Sequence, residues 1–110
     1  MSTQQYKVYF SAVYYQAWDE ISSWLKREVS AYVAARLLEV IQQQISMVAV
    51  MPYMFAAYPV NPAFRKMIIP NWSYVIFYRV DEDKKQIGIH RIYHTAQNYQ
   101  EDMTAEAQPS

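Results

Sequence analysis

The run Tyr74–Val80, Tyr-Val-Ile-Phe-Tyr-Arg-Val, constrains this chain most. Its β-branched and aromatic side chains suit a pleated, packed surface and lose rotamer freedom in a helix. Pro70-Asn71 precedes it as a turn signal, and the charged stretch Asp81–Lys85 follows it as a turn. Phe64–Ile69 before it and Ile87–His94 after it read as further strands. The C-terminal half is therefore expected to form an antiparallel run of three strands.

The N-terminal half follows other periods. In Gln5–Phe10, Tyr6, Val8 and Phe10 alternate with Lys7 and Tyr9, which predicts a short strand with one buried face. Ser11 is a candidate N-cap. After it, Val13, Ala17, Ile21, Trp24 and Leu25 make the stripe of an amphipathic helix. Ser30 is a second candidate N-cap. Val33, Leu37, Ile41, Ile45 and Val48 then lie at successive turns, Ala34 and Leu38 widen that stripe, and Gln42, Gln43 and Gln44 keep the far side polar. A break near Glu28–Val29 makes the two helices a hairpin. Pro52, Pro59 and Pro62 then mark a loop.

The predicted order is strand, two helices, three strands. This is an α+β fold with a four-stranded, mainly antiparallel sheet and the helices on one face. The other face is expected to be partly open, a natural place for a site or a partner. The 110 residues suffice for one domain and one core. Residues 1–103 are assigned to it, and the polar stretch Thr104–Ser110 to a frayed tail.

Composition removes several function classes. Cysteine is absent, so neither a disulfide framework nor a thiolate metal site is available. No His, Asp and Glu cluster has metal-ligand spacing, and Gly88, the single glycine, makes no phosphate-binding loop. No cofactor or metal is expected. The longest apolar stretch, Ile45–Ala57, is interrupted by Ser46 and Pro52 and is too short to span a bilayer. The first residues, Met-Ser-Thr-Gln-Gln, lack the features of a signal peptide, so a cytoplasmic protein is expected. Ten basic residues balance ten acidic ones, so the overall charge does not mark a nucleic-acid binder. The cations Arg65, Lys66, Arg79 and Arg91 nevertheless fall in the strand-rich half.

Three segments carry a resemblance when taken together. They are Phe64-Arg65-Lys66-Met67-Ile68-Ile69, Tyr74-Val75-Ile76-Phe77-Tyr78-Arg79-Val80-Asp81 and Ile89-His90-Arg91-Ile92-Tyr93-His94. Their order and spacing resemble the RelE/ParE superfamily, and the likeness runs roughly from Tyr6 to Asp102. It implies the toxin of a type II toxin–antitoxin (plasmid stabilisation) system, a growth-arresting protein held in check by a cognate antitoxin, as a homodimer or a toxin–antitoxin hetero-oligomer. RelE-like members cleave mRNA on the ribosome without a metal. ParE-like members inhibit DNA gyrase and are not nucleases. A degenerate member would be a binding module only.

Cleaving RNA without a metal requires a base for the 2′-hydroxyl, an acid for the leaving oxygen and cations on the phosphate. The resemblance assigns His94, at the end of the last strand, to proton exchange. It assigns Arg65, whose guanidinium holds a phosphate through paired hydrogen bonds, to charge stabilisation. Arg79, Arg91 and Tyr93 are candidate substrate-binding residues. In the register usual for the family, Arg65, Arg79, Arg91 and Tyr93 share the open face, with Arg91 on the same side as Ile89 and Tyr93. A slip of one residue in the turn would undo that grouping. Three departures from the ribonuclease pattern weigh the other way. Val75 and Met67 stand where RelE-like nucleases carry Arg and Lys, and Thr95-Ala96-Gln97-Asn98 replaces an Arg-rich segment. The neutral charge agrees with them, because ribosome-bound toxins dock among RNA phosphates. The aromatics Tyr14, Tyr15, Trp18, Tyr53, Phe55 and Tyr58 read as core or antitoxin contacts rather than base-stacking platforms.

Overall fold

The computed structural model describes residues 5–106. In chain order the elements are β1 (Lys7–Phe10), α1 (Ala12–Glu28), α2 (Ala31–Val50), β2 (Ala57–Tyr58), β3 (Asn61–Ile68), β4 (Tyr74–Asp81), β5 (Gln86–His94) and α3 (Tyr99–Glu106). The five strands lie in the order β1-β5-β4-β3-β2. β1 runs parallel to β5, and every other pairing is antiparallel.

Two corrections to the expected fold follow. The sheet has five strands, because the two-residue β2 adds to β3 from within the proline-rich loop. The helices are not confined to one face, because α3 packs on the other. The expected tail from Thr104 overlaps the end of α3, and residues 107–110 lie outside the described residues.

Both proposed caps form. The Ser11 hydroxyl accepts the Tyr14 N–H at 2.9 Å, and that of Ser30 accepts the Val33 N–H at 3.1 Å. Each relieves one of the unpaired donors at a helix start. On α1 Ala17, Ile21 and Leu25 pack on the core as expected and Tyr14 joins them, while Val13 and Trp24 are exposed. On α2, Leu37, Ile41, Ile45 and Val48 are buried as expected. Gln44 is buried with them, because it lies three residues after Ile41 and four before Val48, on the same stripe. Among the described residues its Oε1 has no hydrogen-bond partner.

The hairpin of α1 and α2 covers Tyr74, Ile76 and Tyr78 of β4, Met67 of β3, and Ile87, Ile89 and Ile92 of β5. On the opposite face Val75, Phe77 and Tyr93 pack with Tyr58, Phe64 and Met103. The Tyr78 hydroxyl donates to the Pro52 carbonyl at 2.7 Å, which fixes the loop to the centre of the sheet.

The turn between β4 and β5 is latched by Glu82. Its carboxylate accepts Tyr6 Oη at 2.8 Å, Tyr53 Oη at 2.7 Å and Lys85 Nζ at 2.6 Å. These donors hold the Glu82 carboxyl well below the carboxylate range, at about 2. The latch joins the turn to Tyr6, just before β1, and to the proline-rich loop. Because the folded value lies below the ordinary 4.5, the contribution is complete above about pH 4.5 and is lost as pH falls towards 2. The thermal midpoint of Glu82→Gln is therefore expected to fall below that of the wild type at neutral pH and to converge with it near pH 2. A gap that stays constant across that range would refute the latch.

Candidate functional site

The face opposite the hairpin collects most of the cations that the sequence singled out. A bulge decides which ones. Tyr78 pairs with Ile89 and Phe77 with Arg91, so His90 is the extra residue on β5. Alternation breaks there. Ile87 and Ile89 face the hairpin, whereas Arg91 and Tyr93 face away from it, together with Arg79 and Gly88. The expectation that Ile89 shares a side with Arg91 is thus corrected by one inserted residue. The carbonyl of His90 accepts the Ser11 hydroxyl, so the cap of α1 also satisfies the bulge.

Arg65 is not part of this face. It pairs with Tyr78, whose side chain points into the hairpin core, so Arg65 lies on that side too. Its Nη1 donates to the Phe55 carbonyl at 2.7 Å, and its guanidinium lies 4.7 Å from the Tyr53 ring centre. The neighbouring Lys66, with the opposite parity, takes its place, 5.0 Å over the Tyr99 ring.

His94 is also on the hairpin side. It pairs with Tyr74 and meets that ring edge-on at 5.2 Å. Its Nδ1 accepts the Ala96 N–H at 3.0 Å, which sets the neutral tautomer with the proton on Nε2. The ring lines a cleft with Glu20, Ile21, Trp24 and Gln97. Arg65 and His94 are therefore four residues apart along β4 and on strands either side of it, about 16 Å between Cα atoms by sheet geometry.

Tyr93 is buried against Phe77 and Tyr99, with ring centres 5.8 Å away in both cases, and burial pushes its hydroxyl up to about 12. Arg91 stacks 4.7 Å over Tyr93 and lies 4.0 Å from Asp102 of α3. Its Nε is buried and has no hydrogen-bond partner among the described residues. His90 sits 3.7 Å from Glu106 and packs on Phe64. Burial lowers its pKa and favours the neutral ring. Arg79 is exposed above Phe64, at 5.6 Å.

α3 is what the sequence reading missed. Met103 is fully buried beneath it, and Asn61 Nδ2 donates to the Met103 carbonyl at 3.0 Å. Two of its carboxylates, Asp102 and Glu106, lie one turn apart over Arg91 and His90. A local signal exists for it. Asn98 followed three residues later by Glu101 is a helix-start pattern, and the two side chains bond at 3.1 Å. Among the described residues no three His, Asp or Glu side chains are grouped to hold a metal ion. On this face Lys66, Arg79 and Arg91 lie over aromatic rings, Asp102 of α3 approaches Arg91, and Glu106 approaches His90.

Comparison with known proteins places this arrangement. The family model described as the ParE toxin of the type II toxin–antitoxin system parDE matches residues 8–99. The chain belongs to the ParE toxin family. No curated protein sequence matches it. The fold of this ParE-family toxin is similar to that of a chain in the chromosomal ParDE system of Pseudomonas aeruginosa, with a TM-score of 0.70 and 19% identity over 84% of this chain and 98% of that one. A chain of the RelBE2 toxin–antitoxin complex of Mycobacterium tuberculosis gives 0.60 at 14% identity, covering 87% and 98%. The isolated RelE toxin of Escherichia coli gives 0.52 at 12%, covering 92% and 96%.

Two substitutions test the architecture, one on each side of the sheet. Met103→Ala is expected to cost about 2–3 kcal/mol in urea unfolding, because it opens a cavity under α3. Arg65→Ala is expected to cost about 1.5 kcal/mol, the scale of a lost hydrogen bond from a charged donor. A cost below about 0.5 kcal/mol for either would mean that its side chain does not hold the fold together.

Proposed function

We propose that this toxin arrests growth by binding DNA gyrase, and that it does not cut mRNA. One observation carries the reading. Arg65 and His94, the pair that RNA cleavage would need side by side, are separated by about 16 Å of sheet. Arg65 is in addition engaged by the Phe55 carbonyl, and Val75, which replaces the Arg of the ribonuclease pattern, is buried beside Phe77. General acid–base catalysis demands hydrogen-bond reach between each group and the atom it serves. A binder of a protein target makes no such demand. Exposed apolar side chains, among them Trp24, Tyr32, Met47 and Ile68, provide interface area.

The same reading supplies the partner. The Pseudomonas aeruginosa and Mycobacterium tuberculosis relatives are components of toxin–antitoxin systems, and a cognate antitoxin is proposed to neutralise this chain as well. Among the described residues no helix is long and apolar enough to cross a membrane, in keeping with a cytoplasmic site of action.

The test is expression without the antitoxin, followed by a gyrase supercoiling assay and primer extension on mRNA. Growth arrest with loss of supercoiling and intact message is expected, and His94→Ala should still arrest growth. Codon-phased cleavage of message would overturn the gyrase reading. Normal growth with both assays unchanged would overturn the toxin reading for this chain.

A further inference from the structure

Three strands bring Tyr9, Gly88 and Arg79 into one row across the sheet face that lies opposite the hairpin. Tyr9 and Arg79 are exposed and stand on either side of a residue without a side chain. The row therefore has a gap at its centre, and the gap is the floor of a furrow running along β5. Two cavities of about 490 and 320 Å³ open into it, and Tyr9, Gly88 and Arg79 line both.

Gly88 is the only glycine in the chain. Its backbone does not require one, because its φ is not positive. A Cβ there would meet Arg79 Cγ at 3.5 Å, an ordinary contact. Glycine within a strand weakens pairing and often marks close approach by a ligand or a second backbone. Here the missing side chain keeps the furrow floor low.

Dimensions and charge then select the occupant. The floor from Gln86 to His90 is about 13 Å long, and the Cα atoms of Tyr9 and Arg79 are about 10 Å apart by strand geometry. Those lengths suit about four residues of extended chain. Asp81 and Asp83 line the end at the turn between β4 and β5, Arg79 the middle and Glu106 the far end. A nucleic-acid strand carries phosphate at every step and would meet these carboxylates. A polypeptide in extended form presents alternate side chains to one face and is free to place opposite charges on successive ones.

We propose that the furrow over Gly88 binds an extended polypeptide segment that sets a carboxylate on Arg79 and, at the next side chain on the same face, a basic group on Asp81 and Asp83. The proposal does not depend on which target the toxin acts on.

Gly88 provides its own reporter, since it gives the one glycine amide signal in a ¹⁵N–¹H spectrum of the full chain. The probes are the capped pentapeptides acetyl-Val-Lys-Val-Glu-Val-amide and acetyl-Val-Glu-Val-Lys-Val-amide, one for each chain direction. An acetyl-Val-Gln-Val-Gln-Val-amide peptide and hexathymidylate serve as comparators. One charged peptide is expected to shift the Gly88 signal saturably, and Arg79→Glu to weaken that binding about tenfold. Gly88→Leu should abolish the accompanying shifts at Ile87 and Ile89, with Gly88→Ala as the folded comparison. Should Gly88→Leu lose its dispersed spectrum, Arg79→Glu alone decides. The proposal falls if neither charged peptide saturates by about 5 mM, if the glutamine peptide binds equally well, if hexathymidylate shifts Gly88 instead, or if Arg79→Glu binds undiminished.

Discussion

The central strand β4 is apolar on both of its faces, and most of the architecture answers that constraint. Tyr74 to Tyr78 are five consecutive buried residues. Three of them point one way and two the other, so a single covering layer leaves part of the strand wet. The hairpin of α1 and α2 covers Tyr74, Ile76 and Tyr78, while β2 and α3 bring Tyr58 and Met103 onto Val75 and Phe77. A short helix with little amphipathic character would be marginal in water. It holds here because the sheet offers it a socket for Met103 and a buried Asn61 for its backbone.

The bulge at His90 is the second controlling feature. Without it, β5 would keep one parity from Ile87 to Tyr93, and Ile89, Arg91 and Tyr93 would lie on the same side. The inserted residue lets Ile87, Ile89 and Ile92 all fill the hairpin core while Arg91 and Tyr93 turn to the other face. It also leaves the carbonyl of His90 out of the ladder, where the Ser11 hydroxyl meets it. The start of the first helix and the irregularity of the last strand are in this way one structural feature, joined by residues 79 positions apart.

Locality decides how much of this was readable in the sequence. Helix caps, helix stripes and the period of the long strands are local, and Ser11, Ser30, Ile41 and Tyr74–Val80 declared them. On α2 the apolar stripe was legible, but Gln44, expected on the polar side, lies inside it, since position 44 belongs to the stripe whatever residue occupies it. The bulge and the parallel pairing of β1 with β5 depend on contacts across the fold, and β2 is too short to show a period, so no periodicity announces them. The second cover on β4 was only half hidden. A strand without polar alternation signals burial on both faces. The Asn98 to Glu101 spacing marks where the missing helix begins. Of the residues the sequence singled out, Arg79, Arg91 and Tyr93 share one face of the sheet, whereas Arg65 lies on the other by one residue of parity and Lys66 stands on the face where it was expected.

Family membership and mechanism separate on the electrostatics of that face. A ribonuclease holds cations free for a phosphate, in a site where low dielectric makes each one count. In this chain Lys66, Arg79 and Arg91 lie on aromatic rings, and Asp102 and Glu106 approach Arg91 and His90 from α3. A polyanion binding there would have to displace carboxylates that the fold itself supplies. The even balance of acidic and basic residues is thus not merely a global average. It recurs on this face, where Asp102 and Glu106 stand beside Arg91 and His90 while Lys66 and Arg79 lie over Tyr99 and Phe64.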